Sequence, residues 1–482
     1  MSWTISQNER TYLRGLAQKQ AEYAVLPIMA ERKKMWYALN DAQTGARPPV
    51  IIETWTFDRD FMPESIFECA SPVGRDIETQ LLRNIRNHEL IDDDKVIPDS
   101  FDIGWFIDYD EFGVKIPTER IEDAQGIETG YRYLHPIKDL ERDLSLLKPA
   151  TFQVDRQKTN DWQAFLANLL GDILPVMIRT GTFGSTMLTN RVIELMGMET
   201  FFTAMYDQPD AVHRLMAYLR DNALSMMRWA EAEGLLCLNN GNQDSFGSSY
   251  NFTTRLPRPP LIPPSPLLSP KNGARRGVET GNWVDLGSGA TKINPISGDS
   301  AFSPEGERDK GLGYMPPHSN DGNGTVRLSD MWGSTNSQET VGVSPRMFRE
   351  FCFPYYRAVC EPMGLLYYGC CEPAHPFWKE ISQLPHLKKV SISRWCDQTY
   401  MGEALQGREI VYSRKPDPNF LSVDDRLDEQ AWAAHIRETL AATRGVFVEF
   451  IIRDVYTVHG NLNNARSAVE IARREIDSHY RL

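Results

Sequence analysis

No stretch of the 482-residue chain approaches the roughly 18 consecutive apolar residues that a membrane-spanning helix needs. The N-terminal segment 1–10 is polar and carries no apolar core of the kind a secretion signal has, so no signal peptide is expected. A basic surplus is also missing. The net charge of −13 argues against nucleic acid as the main partner, because phosphate binding needs a positive surface. The same charge is ordinary for a soluble protein and identifies neither an acidic nor a basic substrate. The seven cysteines form no regular framework, and the adjacent pair Cys370-Cys371 is a poor disulfide motif. Reduced thiols and a cytoplasmic location are expected, which leaves the thiols available for metal binding or chemistry. No G-x-G-x-x-G opens the first strand–helix unit, so a dinucleotide-binding domain is not expected.

What is present is a core-forming composition, with 41% hydrophobic residues, and a rhythm of short apolar runs alternating with helical patterns. Residues 3–40 read as helix, and an N-terminal helical extension is placed at 1–45. Strands are expected at Val50-Ile51-Ile52, at Ile173 to Ile178, at Gly234 to Leu238 and at Gly364 to Tyr368. Others follow at Lys389 to Ser393, Glu409 to Ser413 and Val446 to Ile452. Helices are expected between them at 190–206, 209–233, 344–363, 428–443 and 463–479. Pro209 and Pro345 stand where a helix first turn tolerates proline. Residues 91–135 mix acidic stretches with short β-like runs, an elaboration on the first unit. Strands alternating with helices predict a parallel sheet, and the number of units favours an α/β fold of the (β/α)₈ TIM-barrel type over 46–482. Within it, 251–325 breaks the pattern: Pro, Gly and Ser fill 29 of these 75 positions. The expectation is a disordered insertion, either a lid or a surface insert such as a retained intron. The second is preferred, since a lid needs apolar anchors.

In a parallel barrel the chemistry sits where strands end. The polar strand-end residues therefore supply the candidates. Asp58, Asp454 and His459 are candidate catalytic groups, with Asp244 a weaker one. Glu53, Trp55, Arg179, Asn240, Arg394 and Lys415 are candidate substrate-binding residues. Trp55, Tyr109, Tyr314, Trp332 and Trp395 are candidates for an aromatic wall. The segment Cys370-Cys371-Glu372-Pro373-Ala374-His375 follows an apolar strand directly, and Cys396-Asp397 follows the next one. Adjacent strands lie about 5 Å apart, close enough for their ends to share one ion. Cys370, Glu372, His375 and Cys396 together offer the thiolate, imidazole and carboxylate donors that suit zinc. The alternative is that one cysteine packs into the wall and the other is a bystander. Neighbours on a strand face opposite sides, so two adjacent thiols share a pocket only where the chain bends.

The segments Pro209-Asp210-Ala211-Val212-His213-Arg214-Leu215-Met216, Ser344 to Phe351, Leu366 to Pro373 and Val455 to Arg466 resemble the uroporphyrinogen decarboxylase superfamily, which includes corrinoid-linked methyltransferases. The resemblance covers most of 160–482 outside the insertion and, more weakly, 45–60. It implies a (β/α)₈ barrel, a small-molecule substrate and either methyl transfer with zinc and a corrinoid-bearing partner protein, or metal-free decarboxylation without a cofactor. Two departures are plain. The N-terminal Arg-Gln-Ala-Gly-Arg element of true uroporphyrinogen decarboxylases is replaced by Ala46-Arg47-Pro48-Pro49-Val50. The His-x-Cys zinc motif of the methyltransferase branch reads Tyr368-Gly369-Cys370, so only the cysteine matches. Three readings follow: metal-dependent methyl transfer or demethylation of a small substrate, a decarboxylase (lyase) acting on a small carboxylated substrate, and a non-catalytic binding protein.

Overall fold

A computed structural model describes residues 3–122, 128–179, 183–245, 248–257 and 325–482. Most of the Pro/Gly/Ser-rich segment, with Tyr314, lies outside the described residues, and so does the side chain of Asp244. The first residues of that segment pack against the body. Phe252 is buried, and Asn40 donates from its amide to the Tyr250 and Phe252 carbonyls. Asp41 accepts from the Thr253 and Thr254 hydroxyls.

The protein is a mixed α/β structure whose parallel strands are β1 (Val50–Ile52), β2 (Phe101–Ile103), β3 (Val176–Ile178), β4 (Ser185–Thr186) and β5 (Trp332–Thr335), followed by β6 (Leu365–Tyr368), β7 (Leu387–Ile392), β8 (Val411–Arg414) and β9 (Val448–Ile452). Seven of them form one sheet in the order β1-β9-β8-β7-β6-β5-β4, and β2 pairs separately with β3. Consecutive strands from β5 to β9 are neighbours, as crossover helices between parallel strands produce. Among the described residues the sheet does not close. The free edge of β1 is satisfied by side chains: Val50 N–H donates to Asp94 Oδ2 at 2.7 Å and Ile52 N–H to Asp93 Oδ2 at 2.8 Å. A carboxylate there does the work of a neighbouring strand. At the other end, the Asn239 amide bonds both the N–H and the C=O of Trp332. The expected strand over 234–238 forms no ladder, and the residue after it, Asn239, reaches β5 through its side chain.

Alternation divides the sheet into two faces. Leu366, Tyr368, Val390, Ile392, Tyr412, Val448, Phe450 and Ile452 join the large core under the helices. The other face is apolar at one end, where Ile51, Val411 and Ile451 pack with Trp36 of the helix Pro27–Asn40. Beside them on the same face Tyr367, Lys389, Ser391, Ser413 and Glu449 are all buried. Both faces of a buried parallel strand are normally apolar, so this polar layer departs from the usual pattern.

Helix breaks account for the other differences from the sequence reading. The single helix expected over 3–40 is two, Gln7–Ala24 and Pro27–Asn40, because Pro27 lacks an N–H and restricts Leu26. Gly197, at φ +78°, divides 190–206 into Leu188–Met196 and Met198–Asp207. The helix expected over 344–363 passes through a π-turn at Phe348–Cys352, which accommodates Pro354 in the turn that follows.

One glycine is fixed by close approach. A Cβ on Gly402 would lie 1.9 Å from the Ala442 carbonyl oxygen, where the helices Gln398–Leu405 and Glu429–Ala442 cross. Gly402→Ala is expected to cost about 1–3 kcal/mol, since backbone rather than a flexible side chain must yield. A lowered urea midpoint at unchanged slope checks it.

Candidate functional site

β6 ends at Tyr368, and Gly369 turns the chain at φ +99°. A Cβ there would press on Ser391 at 3.0 Å, so glycine is required twice over. The turn is the bend that two adjacent thiols need. Cys370 and Cys371 stand with their sulfurs 3.4 Å apart. Their backbone is held from three sides. Gly369 N–H donates to the Thr335 carbonyl at 2.7 Å, Ser391 Oγ to the Cys370 carbonyl at 2.6 Å, and Cys370 N–H to Glu372 Oε2 at 2.9 Å.

Around the pair stand residues from the next strand ends. Cys371 Sγ donates to Asp454 Oδ2 at 3.2 Å. Asp454 reaches it because its backbone is left-handed at φ +59°, a conformation Asp tolerates better than most residues and one that recurs at functional sites. Arg453 Nε lies 3.6 Å from Asp454 and Arg453 Nη2 3.7 Å from Glu53. Arg453 is buried, yet its Nε and Nη1 have no hydrogen-bond partner, and neither does Glu53 Oε1. Lys415, one alternation beyond Ser413 on β8, donates to Ser413 Oγ at 3.0 Å and lies over the Tyr367 ring.

This surrounding splits the two thiols. The hydrogen bond from Cys371 holds the Cys370 thiol below the ordinary thiol range, although burial works the other way, and Arg453 and Lys415 add to the lowering. Cys371 is pushed up by the same hydrogen bond and by burial. The surrounding therefore favours ionisation at Cys370 over Cys371. Burial pulls Lys415 down to about 7, and Arg453 acts in the same direction. Removing a cation destabilises an anion, so Lys415→Met is expected to move the Cys370 titration to higher pH. The difference in ultraviolet thiolate absorbance between each protein and its Cys370→Ser counterpart, followed against pH, checks the direction. The effect is largest near neutral pH and below, where Lys415 carries its charge.

Beneath the thiols lies a fully buried ion pair, Lys389 Nζ to Glu449 Oε2 at 3.0 Å. Lys389 also donates to Ser249 and to the Tyr250 carbonyl and faces the rings of Trp36 and Trp332.

Of the residues singled out from sequence, Cys370, Lys415, Asp454 and Glu53 come together here. The other expected zinc ligands do not join them. Glu372 is buried with its oxygens on the N–H groups of Ser337 and Cys370. Cys396 Sγ accepts the Ala374 N–H at 3.0 Å, and His375 Nδ1 the Asp397 N–H at 3.3 Å. Among the described residues, no three His, Cys, Asp or Glu side chains are grouped to hold a metal ion. The four expected ligands are thus spread over separate hydrogen-bonded positions and are not gathered into one group.

The remaining candidates stand apart. Asp58 is paired in two-pronged fashion with Arg83 at 2.7 Å. Arg179 pairs with Asp102, and Arg394 pairs with Asp417 and stacks on Trp395. The buried Asn240 amide points at the carbonyls of Thr253, Leu256 and Pro257 and anchors that segment. His459 is exposed beside the Ser422 carbonyl. Tyr109 is exposed, and Trp332 is buried with its indole on the Asn251 carbonyl. Trp55 is 59% exposed and lines, with Glu53, a cavity of about 240 Å³ at the end of β1. Cys371 and Arg453 were not assigned roles from sequence. The polar inner alternation Ser413-x-Lys415 and Glu449-x-Ile451-x-Arg453 is the signal that points to them.

No helix among the described residues is long and apolar enough to cross a membrane. No family model matches the chain, and no curated protein matches it. Among solved structures the chain is similar to a methyltransferase from Methanosarcina mazei, at 11% identity and a TM-score of 0.45, covering 92% of this chain and 98% of that one.

Proposed function

We propose that the chain is a barrel enzyme of the uroporphyrinogen decarboxylase type that removes a methyl group from a small substrate, with the Cys370 thiolate as the attacking atom. The observation that carries this is the thiol pair at the C-terminal edge of the parallel sheet, with Asp454 on Cys371 and with Arg453 and Lys415 acting on Cys370. A sulfur lone pair of Cys370 forms the S–CH₃ bond as the bond from methyl to its heteroatom breaks, and the bonding pair stays on the heteroatom. The leaving group takes a proton from the Lys415 ammonium, whose pKa of about 7 keeps both forms populated at neutral pH. The unpartnered N–H groups of Arg453 are donors for the negative charge that develops there. Cys370 would be restored by passing the methyl group to an acceptor, and a corrinoid carried by a partner protein is the acceptor class that the sequence resemblance implies. Glu372, His375 and Cys396 are engaged elsewhere, so the step is written with the thiolate alone.

A decarboxylase is the second reading, and Lys415 favours it. A buried lysine titrating near 7 is suited to protonating a carbanion, with Arg453 as the partner of the carboxylate. One experiment separates the two. The protein is incubated with small-molecule extract from its source cells, its Cys370 peptide is sequenced by mass spectrometry, and released carbon dioxide is measured. A gain of one methyl on Cys370, absent in Cys370→Ser, is the expected result. Carbon dioxide release with no methyl gain selects the lyase.

A further inference from the structure

Neighbours on an extended strand point to opposite sides. Cys370 and Cys371 escape that rule because Gly369 bends the chain at φ +99°, and their sulfurs stand 3.4 Å apart. Other thiols keep separate company. Cys396 Sγ accepts the Ala374 N–H, and Cys237 Sγ donates to the Ile178 carbonyl. The two adjacent sulfurs also differ in setting. Cys370 is 4% exposed and feels the charges of Arg453 and Lys415. Cys371 is half-buried, with the Asp454 carboxylate as acceptor at 3.2 Å. Methyl transfer as proposed makes its new bond at Cys370 and leaves the second thiol unconsumed.

We infer that Cys370 and Cys371 are a modification site for a hydroperoxide, which couples them into a reversible disulfide between neighbours. The Cys370 thiolate attacks one peroxide oxygen. The O–O bond breaks, and the second oxygen leaves with the bonding pair and takes a proton from solvent. Cys370 is then a sulfenic acid. The Cys371 sulfur attacks the Cys370 sulfur and gives its proton to Asp454, the acceptor already in place. The S–S bond forms, the S–O bond breaks, and the departing hydroxide takes that proton and leaves as water. Two thiols lose two electrons, and the hydroperoxide is reduced to an alcohol or water. Closure draws the sulfurs from 3.4 Å to about 2.05 Å. The Cα atoms of neighbours are about 3.8 Å apart, inside the spacing of about 4.4–6.8 Å that unstrained disulfides keep. A bond under that strain is readily reduced, as regulatory disulfides are. A small thiol attacks Cys371, the more exposed of the two, and Cys370 leaves as a thiolate beside Arg453 and Lys415. While the bond is closed Cys370 has no free thiolate, and the proposed methyl transfer stops. The inference rests on that reading for this consequence and not for the bond itself.

The test treats the reduced full chain, freed of reductant, with hydrogen peroxide at neutral pH. Free thiols are then counted after unfolding, and the peptide that carries both cysteines is weighed by mass spectrometry. Two of the seven thiols are expected to disappear, the peptide to lose two hydrogen atoms, and dithiothreitol to restore both. Cys371→Ser is expected to stop at the Cys370 sulfenic acid, which dimedone traps. Cys370→Ser is expected to keep its Cys371 thiol at the same dose. Three results in the native chain overturn the inference: a peptide that gains oxygen instead, a peptide unchanged at a dose that oxidises free glutathione, or a bond to a different cysteine or a second chain. These readings stand whether or not the variants fold. Closure of the bond in a chain that gains no methyl on Cys370 supports the redox site and counts against methyl transfer. Methyl gain on Cys370 in a chain that does not close the bond does the reverse.

Discussion

Cys370→Ser is expected to lower kcat/KM by at least about a thousandfold, almost all of it in kcat. A serine hydroxyl titrates far above any thiol, and the groups beside Cys370 stabilise an anion instead of removing a proton. Arg453 and Lys415 favour the charged form of a group that is already easy to ionise. They cannot bring a hydroxyl into the same range. The fold is expected to survive, because the loop is held through backbone: Ser391 on the Cys370 carbonyl, and Glu372 on the Cys370 and Ser337 N–H groups. An unchanged melting temperature beside lost turnover therefore separates a chemical from a structural role. Cys371→Ser is the informative companion. A serine there keeps one O–H, which donates to Cys370 or to Asp454, so its loss is expected to be about tenfold or less, on the scale of one altered hydrogen bond. Cys371→Ala removes the donor, and the Cys370 titration then rises toward the ordinary thiol range.

The second large effect is on stability. Lys389→Met is expected to cost about 3–5 kcal/mol, because it leaves the Glu449 carboxylate fully buried with its cation gone. Ser249 Oγ still donates to Glu449 Oε2, but the other carboxylate oxygen already has no partner, and water does not reach it. Lys389→Met combined with Glu449→Met removes both charges and is expected to recover most of the loss. Chemical denaturation of the two single variants and the double variant measures the coupling directly. Equal losses in single and double variants would mean that the pair contributes through packing against Trp36 and Trp332 alone.

The strands were legible wherever a short apolar run met a turn, as at Val50–Ile52, Leu365–Tyr368 and Val448–Ile452. Their parallel pairing followed from the helices between them. The edges were not legible. Asp93 and Asp94 stand in a loop and look like any acidic pair, yet their carboxylates replace a strand beside β1. The helix interruptions at Val25-Leu26 and Gly197 lie inside patterns whose apolar spacing continues across them. The π-turns at Asn87 and Phe348 leave no periodic trace at all, because one extra residue per turn is within the scatter of the pattern.

At the site, the thiol pair was conspicuous from sequence, and its partners were not. Cys396 and His375 looked like ligands because adjacent strand ends are close, but closeness does not fix where a side chain points. Both turn toward backbone N–H groups of the loops. Asp454 and Arg453 reach Cys371 and Glu53 only because the chain turns left-handed just past β9. No spacing rule encodes that turn. Buried alternating polar residues were the readable clue, in Lys389-x-Ser391 and Glu449-x-Ile451-x-Arg453.

The reactivity order of the thiols tests the central claim most directly. Cys237 and Cys371 are the partly exposed cysteines, and Cys69, Cys352, Cys360, Cys370 and Cys396 are buried. Simple access would therefore place Cys237 and Cys371 first. With iodoacetamide limiting at neutral pH and the modified peptides quantified by mass spectrometry, Cys370 is expected to be alkylated first, ahead of both. Alkylation that starts at Cys237 or Cys371 and leaves Cys370 intact would contradict an activated thiolate at Cys370.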